Sequence, residues 1–148
     1  MTMNDELLKD IIGRYERVTF TVERRLNALI RELMPDGITI DQYAILRYIA
    51  SRSMCTSSEL SDTFYVGKSS ITAIITRLFE KKLLKRIPDE KDRRVTYLAL
   101  TEEGERMTEE MCGSIQRLLS KYIQHFDEQE AIAFITTFEK LGRVLTDG

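Results

Sequence analysis

Apolar residues in the first 33 positions recur at intervals of three and four, at Leu8, Ile11, Tyr15, Val18, Val22, Leu26, Leu29 and Leu33. That spacing predicts a single amphipathic helix, which Met34-Pro35-Asp36-Gly37 ends, since Pro35 turns its predecessor away from helix and Gly37 tolerates a turn. At ~1.5 Å per residue such a helix is ~45 Å long, too long to be spent on the core of one small domain, so part of its stripe is expected to meet another chain. Asp41 is the expected N-cap of a short helix carrying Tyr43, Ile45, Leu46 and Ile49. Thr56-Ser57-Ser58-Glu59 has the form of a capping box and opens a second short helix to about Thr63. After the tight connection Phe64-Tyr65-Val66-Gly67, a third helix places Ile71, Ile74, Ile75 and Leu78 on one face. Two short helices joined by a brief turn containing glycine form a helix-turn-helix pattern.

Beyond Leu83 the pattern changes from a helical to an alternating one. Leu84-Lys85-Arg86-Ile87 and Val95-Thr96-Tyr97-Leu98-Ala99-Leu100 flank the polar stretch Pro88 to Arg94, which predicts a hairpin whose long loop projects. Thr101 then caps a helix with Met107, Met111, Ile115, Leu118, Leu119, Tyr122 and Phe126. Asp127-Glu128-Gln129-Glu130 is a further capping box, opening a last helix with Ile132, Ile135, Phe138, Leu141 and Leu145.

Composition narrows the function. The 148 residues suit one domain, and two prolines and seven glycines fit helices better than a turn-rich sheet protein. Cys55, Cys112 and His125 are too few for a structural zinc site, no CxxC pair occurs, and no GxGxxG or GxxxxGK[ST] phosphate loop appears. The expectation is therefore no metal, no cofactor and no catalytic residue. Without a membrane-length apolar run or a secretory start, the expected location is the cytoplasm. The net charge of −2 conceals an uneven spread: residues 1–67 carry 8 basic and 10 acidic groups, 68–94 carry 9 and 4, and 95–148 carry 5 and 10. A basic middle between acidic ends suits a face turned to a polyanion.

The helix-turn-helix followed by Asp92-Arg93-Arg94-Val95-Thr96-Tyr97-Leu98-Ala99-Leu100-Thr101 resembles the winged-helix repressors of the multiple-antibiotic-resistance-regulator (MarR) type. Their DxRxxxxxLT wing pattern is met at Asp92, Arg94, Leu100 and Thr101, and the element order covers essentially the whole chain. The resemblance implies a mainly α fold: a winged helix-turn-helix lobe over 41–101, made of three short helices and a β-hairpin wing, flanked by dimerisation helices over 1–33 and 102–148. It also implies an obligate homodimer on a pseudo-palindromic double-stranded operator, and in many members a response to a small aromatic ligand or an oxidant. Two departures stand out. Lys82 occupies a position where the family usually has glycine, and the first helix lacks the cysteine of the peroxide-sensing branch.

On this reading Lys68, Ser69, Ser70, Thr72, Thr76 and Arg77 face the DNA, Arg77 and Thr76 toward base edges and Lys68 and Ser69 toward phosphates. Arg94 enters the minor groove, Asp92 pairs with Arg94 or a nearby amide to shape the tip, and Arg93 points to the opposite side by strand alternation, toward a phosphate. Tyr15, Phe20, Tyr43, Met107 and Met111 are candidates to line an apolar ligand pocket between the dimer helices and the DNA-binding lobe. Cys55, just before a helix start where a thiolate is favoured, is the better redox candidate, since no basic cluster flanks Cys112 in sequence. Two other functions fit less well: a winged helix that docks a protein, and a small helical enzyme around His125 with Asp127, Glu128 and Glu130, residues that a helix cap explains more simply.

Overall fold

The computed structural model describes residues 2–148. The chain forms two compact units, Met1–Cys112 and Gly113–Gly148. Its elements are α1 (Asp5–Leu33), α2 (Ile40–Arg52), α3 (Ser57–Phe64), α4 (Lys68–Glu80), β1 (Leu84–Pro88), β2 (Thr96–Leu100), α5 (Glu102–Ile123) and α6 (Glu128–Asp147). This is a mainly helical winged-helix fold, as the pattern predicts.

Local chemistry accounts for most boundaries. The Asn4 side chain accepts from the Leu7 amide at 2.8 Å to start α1, and α1 stops at Met34, which is extended (ψ 138°) ahead of Pro35. The start of α2 differs from expectation, because Thr39 is the cap and Asp41 lies in the first turn. Thr39 Oγ1 accepts from Gln42 N at 3.1 Å while Gln42 Oε1 accepts from Thr39 N at 3.3 Å, a reciprocal box that Asp41 does not offer. Thr56 caps α3 through the Glu59 amide at 3.1 Å, with no return bond from the Glu59 side chain. Asp127 and Glu130 form both halves of the box that opens α6.

The core of the first unit gathers Ile45, Leu46 and Ile49 of α2, Leu60 of α3, Ile71, Ile75 and Leu78 of α4, Leu98 and Leu100 of β2, and Met111 of α5. β1 and β2 pair antiparallel from Leu84 opposite Leu100 to Pro88 opposite Thr96. Cys55 adds a one-residue bridge to this hairpin, exchanging backbone bonds with Leu98 at 3.1 and 2.7 Å.

The end of α4 is closed tightly. Lys82 N donates to Phe79 O and Leu83 N to Leu78 O, a Schellman closure whose penultimate residue is left-handed. That residue is Lys82, at φ 62°. The same corner receives α5: Thr101 N donates to Leu83 O at 3.0 Å, Thr101 Oγ1 donates to Lys82 O at 2.8 Å, and Thr101 Oγ1 accepts from Gly104 N at 3.0 Å. Gly104 fits so closely that a Cβ would sit 2.2 Å from Leu83 O.

In the second unit the remainder of α5 leads through residues 124–127 into α6. No residue of α6 is buried, and Phe134 and Phe138 stack in the open with ring centroids 5.3 Å apart.

Candidate nucleic-acid interface

α4 divides as its pattern requires. Ile71, Ile75 and Leu78 are buried and Ile74 is half-buried, whereas Lys68, Ser69, Ser70, Thr72, Ala73, Thr76 and Arg77 are all exposed. The cap of α4 is Gly67, which supplies no side-chain acceptor, and its first turn holds no acid. The amides there are thus open to an anion, with the positive end of the helix dipole behind them. Thr72 turns its hydroxyl inward, donating to Lys68 O at 2.8 Å, so it meets a partner through its methyl group or as an acceptor.

The wing tip is shaped by its acids. Asp92 N donates to Asp89 Oδ2 at 3.2 Å, Val95 N to Asp92 O at 3.1 Å and Asp89 N to Val95 O at 3.0 Å. Asp92 Oδ1 accepts from Arg94 N at 3.0 Å and from Arg94 Nε at 3.2 Å, and Oδ2 accepts from Arg94 Nη2 at 3.3 Å. The hydrogen bonds from Arg94, side chain first and then backbone, hold the Asp92 carboxyl below the ordinary aspartate range. Asp92 therefore pairs with both Arg94 groups named as alternatives, the guanidinium and an amide. The Arg94 side chain is 91% exposed, and its Nη1 makes no intramolecular bond among the described residues. The expectation for Arg93 needs correction, because Arg93 and Arg94 lie in a turn before β2 and not in a strand, so alternation does not set their directions. Both are exposed.

Three connections escaped the sequence pattern because they join residues far apart in the chain. The Arg86 guanidinium of β1 lies over the Phe79 ring of α4, 4.1 Å from its centroid, tying the wing to the end of α4. Lys81 Nζ donates to Gly37 O and, at 3.1 Å, to Gln42 Oε1, tying α4 to the start of α2. Arg47 of α2 donates to Cys112 Sγ, so a basic group does reach Cys112, across the fold and not along the sequence.

The candidate ligand residues separate. Met111 is buried in the core, and Tyr43 and Met107 pack half-buried against it. Burial raises the Tyr43 hydroxyl above the ordinary tyrosine range, and Cys112 adds to the rise. Tyr15 and Phe20 stay out on α1, 48% and 62% exposed. Cys55 is 1% exposed, and desolvation, with Glu59 adding, pushes its thiol up to about 11. The thiolate expected at the start of α3 is thus disfavoured, because loss of water outweighs the helix end. Cys112, half-buried, is the more accessible of the two thiols. At the remaining histidine, His125 N donates to Tyr122 O just past α5, and Glu130 is engaged in its cap.

Comparison with known proteins agrees with this geometry. The sequence profile of the MarR family matches residues 38–96, which span the three short helices and most of the wing. The chain is 30% identical to the HTH-type transcriptional regulator YsmB of Bacillus subtilis over 80% of this chain and 84% of that one. It is 27% identical to the HTH-type transcriptional repressor MdtR of Bacillus subtilis, covering 97% and 90%. Among solved structures, a MarR family protein from Bacillus stearothermophilus superposes with a TM-score of 0.82 at 26% identity, over 98% and 99% of the two chains. The class is therefore that of winged helix-turn-helix transcriptional regulators. Within it, this chain belongs to the MarR family.

Proposed function

We propose that the protein is a repressor that binds a pseudo-palindromic operator as a homodimer, with 1–33 and 102–148 as its pairing helices and 41–101 as its DNA-binding lobe. The observation that carries this reading is the polar outer face of α4, exposed from Lys68 to Arg77 beside a wing arginine 91% exposed. Arg77 and Thr76 read base edges in the major groove, Lys68, Ser69 and Ser70 meet phosphates, and Thr72 packs on the groove wall. Arg94, held by Asp92, enters the minor groove, and Arg93 meets the flanking backbone.

For regulation, we favour a small apolar or aromatic ligand taken up near Tyr43, Met107 and Met111, with Tyr15 and Phe20 brought to it in the dimer. Cys55 is the weaker input, being buried with a raised pKa. Cys55→Ser is accordingly expected to leave ligand-induced release intact. The supporting test selects duplexes from a randomised pool and compares variants on the selected site. Arg77→Ala should relax discrimination at one operator position by about 1 to 3 kcal/mol. Arg94→Ala should weaken all sites alike and flatten the salt dependence by about one unit per half-site. Equal, sequence-independent losses from both changes would contradict this division.

A further inference from the structure

The large apolar side chains exposed among the described residues fall into two sets. All but four lie along α1 or in the stretch from Tyr122 to Leu145, where pairing of long helices would cover them; one of the four, Met3, stands just ahead of α1. The three in the lobe are Met54, Tyr65 and Val66, and Tyr65, at 82%, is the most exposed large apolar residue described. Dimer pairing through α1 and α6 does not account for it.

Nor does its own backbone favour an aromatic residue there. Tyr65 closes α3 in the left-handed conformation, φ 54° and ψ 41°, where glycine or asparagine is the ordinary occupant and a Cβ is penalised. The turn is locked around it: the Tyr65 and Val66 amides both donate to Ser61 O, and Ser61 Oγ donates to Val66 O at 2.6 Å. None of these bonds uses the phenol. A ring held outward at a conformational cost, with no hydrogen bond or ring contact among the described residues, stands three residues before Lys68 and the open amides of α4. A Cβ at the intervening Gly67 would meet nothing within 4 Å, so a partner's backbone has room to approach.

We propose that Tyr65 is a DNA-backbone contact, its ring lying against a deoxyribose and its hydroxyl donating to a phosphate oxygen beside the N-terminus of α4. Tyrosine hydroxyls and helix N-termini are both phosphate-binding groups, and the excess of basic groups from 68 to 94 favours a polyanion over a protein as the occupant. The inference rests on the reading of α4 as the DNA-binding helix. Because the contact is to the backbone and neutral, it should add affinity without base preference and without counterion release.

The test is a fluorescence-anisotropy titration of the whole protein against a labelled duplex selected by the wild type from a randomised pool, repeated across salt concentrations. Tyr65→Phe should weaken binding about tenfold, equally on preferred and altered duplexes, with the salt slope unchanged. Tyr65→Gly should weaken it further, yet raise Tm by about 3 °C through relief of the left-handed residue. Those opposite signs separate a DNA contact from a structural role. Wild-type affinity in both variants overturns the inference and assigns the ring to a protein partner, and a lower Tm with Tyr65→Gly overturns it as well. Arg77→Ala serves as the control: if it weakens binding while the Tyr65 variants do not, this inference alone fails. If the wild type shows no salt-dependent duplex binding, the reading of α4 fails and takes this inference with it.

Discussion

The lobe from α2 to the start of α5 and the long helices α1 and α6 carry amphipathic stripes of similar design, and the stripes meet different fates. In the lobe Leu46, Ile49, Leu60 and Leu78 reach 0% exposure, because short helices and a hairpin enclose one core. Neither α1 nor α6 has a single buried residue; partial cover is sparse, gathered mainly at Leu26 and Ala28 to Ile30 of α1, with Ala131 and Leu141 on α6. A helical period thus announces an apolar face without saying whether its own chain covers it. Large apolar side chains left exposed along both helices are the kind of surface that marks an interface, and this supports the proposed dimer.

The contrast predicts different kinds of damage. Leu46→Ala should cost about 2 to 5 kcal/mol of folding free energy, read by urea denaturation. A cost below ~1 kcal/mol would show that the lobe core is looser than its burial implies. Phe138→Asp on α6 should leave the lobe's amide spectrum intact and raise the dimer dissociation constant by about a hundredfold, as for loss of an aromatic anchor at an interface. An unchanged sedimentation mass would place the interface elsewhere. Lys82→Gly should stabilise the lobe by about 1 kcal/mol, since glycine meets no penalty at positive φ, and equal or lower stability would mean that the Lys82 side chain contributes something its backbone does not reveal.

The smallest effect is at the wing. Asp92 has its pKa lowered in the fold, so its contribution is present above the unfolded value and is lost as pH falls through the folded one. Its carboxyl carbon should titrate below an unstructured aspartate, and Arg94→Ala, which removes the guanidinium and keeps the amide, should raise it part of the way toward the ordinary range.

The sequence made most of the fold legible because its signals are local. Periodicity located every helix but α3, which its capping box announced, capping residues marked the starts of α3, α5 and α6, and alternation marked the hairpin. The miss at α2 arose because two residues can cap and only the reciprocal bond with buried Gln42 decides between them. On the candidate interface, the outward face of α4 followed from its inward isoleucines, and the Asp92–Arg94 pair from a separation of two. Arg47 on Cys112, Lys81 on Gly37 and Arg86 on Phe79 join different elements, and no periodic pattern encodes such meetings. Tyr65 was hidden differently, since its place in a short connection was plain but its left-handed backbone and exposure were not.

The corner where Thr101 bonds the Lys82 and Leu83 carbonyls and Gly104 presses on the second has a mechanical consequence. The last turn of α4 and the first of α5 share one bearing, so neither can swivel without the other. From that bearing α4 runs its 13 residues over ~20 Å, with Lys68 at the end remote from it. A tilt of about 5° at the corner swings that end through an arc of about 1.7 Å, more than half the length of a hydrogen bond. In the proposed complex, release demands no unfolding and no large swing; a few degrees, applied at the pivot, carry Lys68 out of bonding range of a phosphate.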